Sequence, residues 1–464
     1  MNMRRYIGDR DFYQRVFAIL MPILIQNVIT NFVSLLDNIM VGQVGTEPMS
    51  GVAIVNQLVF VFNLCALGGL SGAGILTAQF YGKGDQEGIR QSVRVKLFIG
   101  LGILAVFGSL LGLLGDRFIL LFLHEGDSGL DLEATLRYAQ EYLDVILLQL
   151  LPFVITMMYS STLRETGETV VPMTAGLIAV FVNLVFNYIL IFGKFGAPAL
   201  GVVGAAIATV LARIVEMSIV VVWTHRNAEK NPFIVGVYRS LHVSGDVLRK
   251  VILLGLPLMI NELLWSGGMT VLNQCYSLRG LEVVSAMNIF TTISNLFFSA
   301  FISTGNATAI MVGQLLGAGE LERAVDEDRK LIAFAFALSL VLSTIMASTA
   351  PFFPQIYNTI PHVKQLATRI LLIGALMMPL HAFSNSCYFT LRSGGKTLIT
   401  FVFDSGALWV ISIPVAFIIA HFTEISIIPF FAIIEGLNLL KCILGYILVK
   451  QRHWVVNLVG EKTA

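Results

Sequence analysis

Residues 31–45 read NFVSLLDNIMVGQVG, with Asp37 in the middle of an apolar run long enough to cross a bilayer. Lipid offers a carboxylate no partner, so an acid at that depth is a functional candidate from the outset. It has company. Asn27, Asn31, Ser34, Asp37 and Asn38 recur at three- and four-residue spacing, which puts them on one helix face. Asn183 and Asn187 stand four apart in another apolar run, and Thr209 lies inside the next. Counted from the outer helix ends, Asp37, Asn183, Asn187 and Thr209 fall at similar height. One carboxylate, two amides and a hydroxyl are oxygen ligands suited to a hard cation such as Na⁺. A buried carboxylate can equally carry H⁺.

Glu262 is the second intramembrane acid to single out. Its repeat partner, derived below, is Asn27, which places it near the bilayer midplane. That is about 15 Å along the helix axis from the level of Asp37. Beside it are Trp265 and Ser266, and the next apolar run carries Asn288, Thr291, Asn295, Ser299 and Asn306. A carboxylate next to an indole can hold an organic cation by charge and cation–π contact. Glu262, Asn27, Trp265, Asn288 and Asn295 are therefore the expected substrate-binding residues. Polar side chains of this kind also join helices to one another. His381, Asp404, Glu435, Arg213 and Lys441 are weaker signals. Arg213 and Glu216, three apart, are expected to pair.

The elements that carry these residues follow from composition. The chain has 464 residues, 56% hydrophobic and 13% charged, with net charge +1. A soluble chain carries about 25% charged residues, and no excess of one sign points to nucleic acid. Cys65, Cys275, Cys387 and Cys442 form no CxxC or Cys/His cluster, which argues against disulfides and zinc. The charged start, MNMRRYIGDRDFYQR, has no cleavable-signal pattern. A membrane-crossing helix needs about 20 apolar residues. Twelve stretches qualify: 16–41, 52–80, 93–122, 138–163, 170–193, 200–223, 248–275, 284–314, 330–351, 367–391, 398–420 and 426–449. Of the 30 Lys and Arg residues, 22 fall on one side of these stretches and 6 on the other, with Arg213 and Lys441 inside helices. The positive-inside rule then puts both termini in the cytoplasm.

The second half repeats the first. At an offset of 235 residues Pro22 meets Pro257, Asn27 meets Glu262, Asn38 meets Asn273 and Gly45 meets Gly280. At the same offset AQFYGKGD (78–85) meets GQLLGAGE (313–320). At an offset of 228, TLRETGET (162–169) meets TLRSGGKT (390–397), and Arg213 meets Lys441. The expected fold is an all-α membrane protein of twelve transmembrane helices in two six-helix bundles, related by a pseudo-two-fold axis along the membrane normal. The domains are a lobe over 1–225, a cytoplasmic linker over 226–247 and a lobe over 248–464. Two matched bundles are a transporter arrangement. The counterparts of Asp37, Asn183 and Asn187 are Leu272, Ile411 and Val415, so the cation site belongs to one half only.

These features together resemble the multidrug and toxic compound extrusion (MATE) transporter family. Pro22 and Asp37 in the first helix, GKGD after the second, NLVFNYILIFG in the fifth and GVVGAAIATVLAR in the sixth carry the resemblance, which spans nearly the whole chain. The resemblance implies export of organic cations and drugs in exchange for Na⁺ or H⁺. It also implies cation binding at Asp37, Asn183, Asn187 and Thr209, and a bend in the first helix at Pro22. Many relatives have a second acid where this chain has Asn187, and acids in the seventh and tenth helices. Here the seventh has Glu262, three residues before the expected position, Trp265, and the tenth has none.

The expected function is a cation-coupled antiporter working by alternating access of the two lobes. It needs no cofactor beyond the coupling ion, and it acts as a monomer in a bacterial inner membrane on amphipathic, cationic compounds. The alternative is a flippase for a lipid-linked oligosaccharide, which would need several embedded Arg or Lys to hold pyrophosphate. An enzyme is not expected, since there is no HExxH, nucleophile elbow or P-loop.

Overall fold

The computed structural model describes residues 5–122, 131–357 and 359–460; of Leu35 only the backbone is described. The described residues form twelve long helices and no strand. They are α1 Arg10–Gly42, α2 Thr46–Lys83, α3 Gln86–Phe122, α4 Leu132–Glu165, α5 Val170–Phe192 and α6 Gly201–Arg226, followed by α7 Gly245–Ser277, α8 Leu281–Gly317, α9 Leu321–Thr349, α10 Pro361–Ser393, α11 Thr397–Phe422 and α12 Ile427–Lys450. Eleven of them are long and apolar enough to cross a membrane. The other, α7, has 33 residues and carries Asn261, Glu262, Ser266, Asn273 and Gln274.

The helices overrun the apolar stretches. α3 has 37 residues, about 55 Å at 1.5 Å per residue, and starts seven positions before the expected boundary. Arg94 and Lys96, near the start of the expected stretch, are helical and buried. Arg164 and Arg392 likewise lie in the last turns of α4 and α10. Embedded basic residues thus go beyond Arg213 and Lys441.

The turns repeat as the sequence does. Gly84 and Gly319 have φ of 77° and 80°, and Gly167 and Gly395 have 90° and 75°. These are left-handed conformations that favour glycine, and they occur at matching positions of the two halves. Elsewhere the helix ends follow ordinary rules. The Asp131 side chain accepts from the Glu133 and Ala134 amides at 3.0 Å and starts α4. Gly193, at φ 64°, closes α5.

The chain divides into two compact units. One comprises Met1–Leu24, Ala78–Gly84 and Leu256–Ala464; the other comprises Ile25–Thr77 and Asp85–Gly255. The division cuts α1 two residues after Pro22 and α7 one residue before Pro257. In the first unit α8, α9, α10 and α12 pack around a core that includes Tyr276, Phe301, Met378, Phe430 and Phe431. In the second, α4, α5 and α6 pack together, and Val41, Val55, Tyr142, Ile146 and Ile191 share a core.

Candidate functional site

Asp37, Asn183, Asn187 and Thr209 meet in one hydrogen-bonded cluster between α1, α5 and α6. The Asn187 Nδ2 amide donates to Asp37 Oδ1 at 2.7 Å and to Asn183 Oδ1 at 3.1 Å. The Asn183 amide lies 3.2 Å from the Thr209 hydroxyl, which itself donates to the Ala205 carbonyl at 3.0 Å. Asn183 and Asn187 are 6% and 2% exposed. Helical geometry assembles this cluster: four-residue spacing stacks the two asparagines on one face of α5. That face meets α6, the most extensive neighbour of α5 in the unit.

Two features of the cluster bear on what it could hold. Asn187 Oδ1 is buried and has no hydrogen-bond partner, and an orphaned buried carbonyl oxygen costs about 1–3 kcal/mol. The second is the Asn183 amide. The atom that faces Asp37 lies 2.8 Å from Oδ1 and 3.0 Å from Oδ2. As the amide oxygen it needs a proton or a cation between it and the carboxylate; as the nitrogen it donates directly, and the Thr209 hydroxyl then donates to the amide oxygen at 3.2 Å. The nitrogen-facing orientation is the one that gives both amide atoms a partner. The donor set, a carboxylate with amide and hydroxyl oxygens, is hard and suits Na⁺. Among the described residues no group of three or more His, Cys, Asp or Glu could hold a metal ion.

Tyr142 and Asn56 adjoin this cluster, and sequence reasoning did not select Tyr142. Its hydroxyl donates to Asn56 Oδ1 at 3.2 Å, and it is close enough to feel the Asp37 charge. The only signal in the sequence was a tyrosine in the outer part of the fourth helix.

The expected substrate residues are distributed differently. Glu262 is partly buried and has no hydrogen-bond partner among the described residues; the charges that act on it are Arg392 and Asp404. Trp265 is 41% exposed. Asn288 and Asn295, seven apart on α8, are both exposed. Asn27 is partly buried in α1 and falls in the other unit. The structure therefore gathers Asp37, Asn183, Asn187 and Thr209 by direct contact, and among the described residues no hydrogen bond joins Glu262, Trp265, Asn288 and Asn295 to one another.

The structure also pairs charges that spacing alone could not. Lys441 Nζ is 2.8 Å from Asp404 Oδ1, and Asn261 Nδ2 donates to Asp404 Oδ2 at 3.2 Å. Asp404 is thus bridged to α7 and α12. It lies in a π-helical stretch of α11, 402–406, that turns its face away from the register a regular helix would give. His381 pairs with Glu435 at 2.6 Å. Arg213 and Glu216 pair at 2.8 Å, as their spacing predicts. Two of the additional embedded cations are answered by acids, Lys96 by Glu165 and Arg94 by Glu87, whereas Arg164 donates to the Gln26 amide oxygen and Arg392 lies over the Phe389 ring.

Comparison with known proteins places this architecture. The MatE family matches residues 22–189 and 257–418, once in each half of the repeat. The chain is 26% identical over 414 residues to the probable multidrug resistance protein YoeA of Bacillus subtilis, covering 88% of this chain and 87% of that one. It is 25% identical over 429 residues to the probable multidrug resistance protein NorM of Thermotoga maritima, covering 90% and 88%. Among solved structures it superposes on an outward-facing multidrug resistance MATE family transporter of the MOP superfamily with a TM-score of 0.86. That match has 20% identity and covers 97% of both chains. The chain belongs to the MatE family of membrane transporters, and it is not an enzyme.

Proposed function

We propose that this transporter is an antiporter that exports amphipathic, cationic compounds in exchange for Na⁺ or H⁺, with the ion taken up at Asp37, Asn183, Asn187 and Thr209. The observation that carries the reading is the orphaned Asn187 oxygen beside a carboxylate, a second amide and a hydroxyl. The multidrug resistance names of its relatives support drug efflux. Ion binding neutralises Asp37 and rearranges its hydrogen bonds to α5. Because α1 also carries Pro22, that rearrangement alters how the lower part of α1 packs, and substrate is released. Return to the other access state releases the ion. Coupling requires the ion and the substrate to favour different states or to compete. Glu262, with Trp265, Asn27, Asn288 and Asn295, is the proposed contact set for the cationic substrate. The protein works as a monomer in a bacterial inner membrane, with both termini in the cytoplasm.

The test is flux of a fluorescent organic cation from proteoliposomes, driven separately by an Na⁺ gradient and a pH gradient. One gradient should drive wild-type flux, and Asp37→Asn should abolish it. Flux that ignores both gradients, and is unchanged by Asp37→Asn, would refute the reading.

A further inference from the structure

Beyond α12 the chain turns back on itself at Arg452. Its φ of 56° is a left-handed conformation, uncommon for a residue with a side chain. Such a conformation persists where the surroundings over-determine it, and Arg452 is held by Glu322 at 3.0 Å. Trp454 then enters the core, 1% exposed, in one cluster with Leu316 and Leu391. Its indole donates to the Val449 carbonyl at 3.0 Å, and its own carbonyl lies against Gly394.

Residues 455–459 are held differently, chiefly through their backbone. Gln79, near the end of α2 and 0% exposed, accepts from the Leu458 amide at 2.7 Å. The same side chain donates to the Val456 carbonyl at 3.3 Å and to the Ser393 carbonyl at 3.1 Å. Lys83 Nζ donates to the Val459 carbonyl at 2.9 Å, and Asn457 Nδ2 to the Gly317 carbonyl at 3.2 Å. Gly317 and Ser393 are the last residues of α8 and α10. The last carbonyls of a helix have no partner within it. One short segment therefore joins the ends of three helices.

Two observations make this more than a helix cap. The first is where α2 belongs. Ala78–Gly84 falls in the same compact unit as α8, α10 and the tail, whereas α2 through Thr77 falls in the other. Gln79 and Lys83 are both in that short piece, so the tail grips α2 just past its division. The second is the kind of grip. Trp454 is fixed by apolar packing, but residues 455–458 beyond it are only half-buried and are held by hydrogen bonds. Water substitutes readily for such bonds once a segment lifts. A segment anchored at one end and hydrogen-bonded beyond it can peel away without disturbing its anchor. The stretch after α6, its counterpart in the first half of the repeat, is held instead to α3. There Arg90 and Arg94 donate to the Pro232 and Val237 carbonyls.

We propose that residues 455–459 are a releasable strap, hinged at Trp454, that fastens the end of α2 to the ends of α8 and α10. While the strap is seated, the end of α2 moves with α8 and α10. When it peels away, that end is free to move with the rest of α2, so the strap sets how readily α2 changes its association. This does not depend on which ion or compound is carried, and its test uses no transport. Hydrogen–deuterium exchange of the purified full chain in detergent is read by mass spectrometry over residues 78–84 and 455–460. Leu458→Pro keeps the tail and removes the amide hydrogen that Gln79 accepts. Exchange over 78–84 should rise several-fold together with that of the tail. Faster exchange confined to the tail would overturn the proposal and leave the segment a terminal cap. Unchanged exchange in both stretches would overturn it as well, because the bond to Gln79 would then fasten nothing. Where Leu458→Pro does not fold, Asn457→Ala removes the tie to Gly317. It too should raise exchange over 78–84, and an unchanged α2 end overturns the proposal equally.

Discussion

Gly82 and Gly317 occupy equivalent positions of the repeat, and each lies against the backbone of the other's helix. A Cβ on Gly82 would sit 1.8 Å from the Gln314 carbonyl oxygen, and one on Gly317 would sit 1.9 Å from that of Gln79. Gln79 and Gln314 are themselves repeat partners, so the ends of α2 and α8 cross as a local two-fold. Small residues let helix backbones approach this closely in membranes. Overpacking a well-packed site costs about 1–3 kcal/mol, and here the obstacle is backbone, which cannot swing aside. Gly82→Ala and Gly317→Ala should each destabilise the fold by that order, read as a lower thermal midpoint in detergent. Their double variant should fall well short of additivity, because either one already separates the helices. Two additive, small shifts would contradict this crossing.

A second prediction concerns the buried ammonium. Lys96 is 0% exposed, and its Nζ lies 2.5 Å from Glu165, 2.9 Å from Ser161 and 3.0 Å from Thr162. Removing one member of a buried ion pair strands the other, at a cost of about 3–5 kcal/mol. Glu165→Gln and Lys96→Met should each be strongly destabilising, whereas Lys96→Met with Glu165→Gln should cost much less than their sum. A thermal-unfolding double-mutant cycle reads this directly; zero coupling would mean that the pair is not formed in solution.

At the cation cluster the decisive change adds charge. Asn187→Asp supplies a second carboxylate where one orphaned oxygen now stands. If Na⁺ binds there, its affinity should rise on the order of tenfold, about 1.4 kcal/mol, as measured by the Na⁺ concentration that half-activates dye flux. A variant whose Na⁺ dependence does not move would remove Na⁺ from the site and leave H⁺ as the coupling ion.

Why this cluster was legible and others were not has a physical cause. Asp37, Asn187 and Thr209 share a height, and four-residue spacing fixes the face shared by Asn183 and Asn187. Depth and face can be read from one chain when helices are regular. The GKGD and GAGE turns were legible for a similar reason, since left-handed glycines mark the same corner twice. The Asp404–Lys441 and His381–Glu435 pairs depend instead on the rotation of separate helices about their own axes. Where α11 becomes π-helical over 402–412 and α12 breaks at Leu437, that rotation departs from any regular period. α3 begins at Gln86, seven positions before its expected stretch, because hydropathy alone ends a helix where the oil ends.

The last prediction concerns Pro22. α1 runs unbroken from Arg10 to Gly42, yet its first part, through Leu24, belongs with one unit and the remainder with the other. Pro22 is buried two residues before that division and has no amide hydrogen for the carbonyl one turn back. Such a residue lets the two parts of the helix change direction independently. An interior proline disfavours regular helix by about 3 kcal/mol. Pro22→Ala should therefore favour the straight form by up to that amount, which is about a hundredfold in a bending equilibrium. Ion binding at Asp37, about four turns further along, should survive, whereas dye flux should fall steeply. The measurement is both quantities on one preparation: Na⁺ or H⁺ binding in detergent, and flux in proteoliposomes. Binding retained with flux lost places the defect in the motion of α1. If flux equals that of the wild type, α1 does not need to bend, and the coupling must pass through α5 and α6 instead.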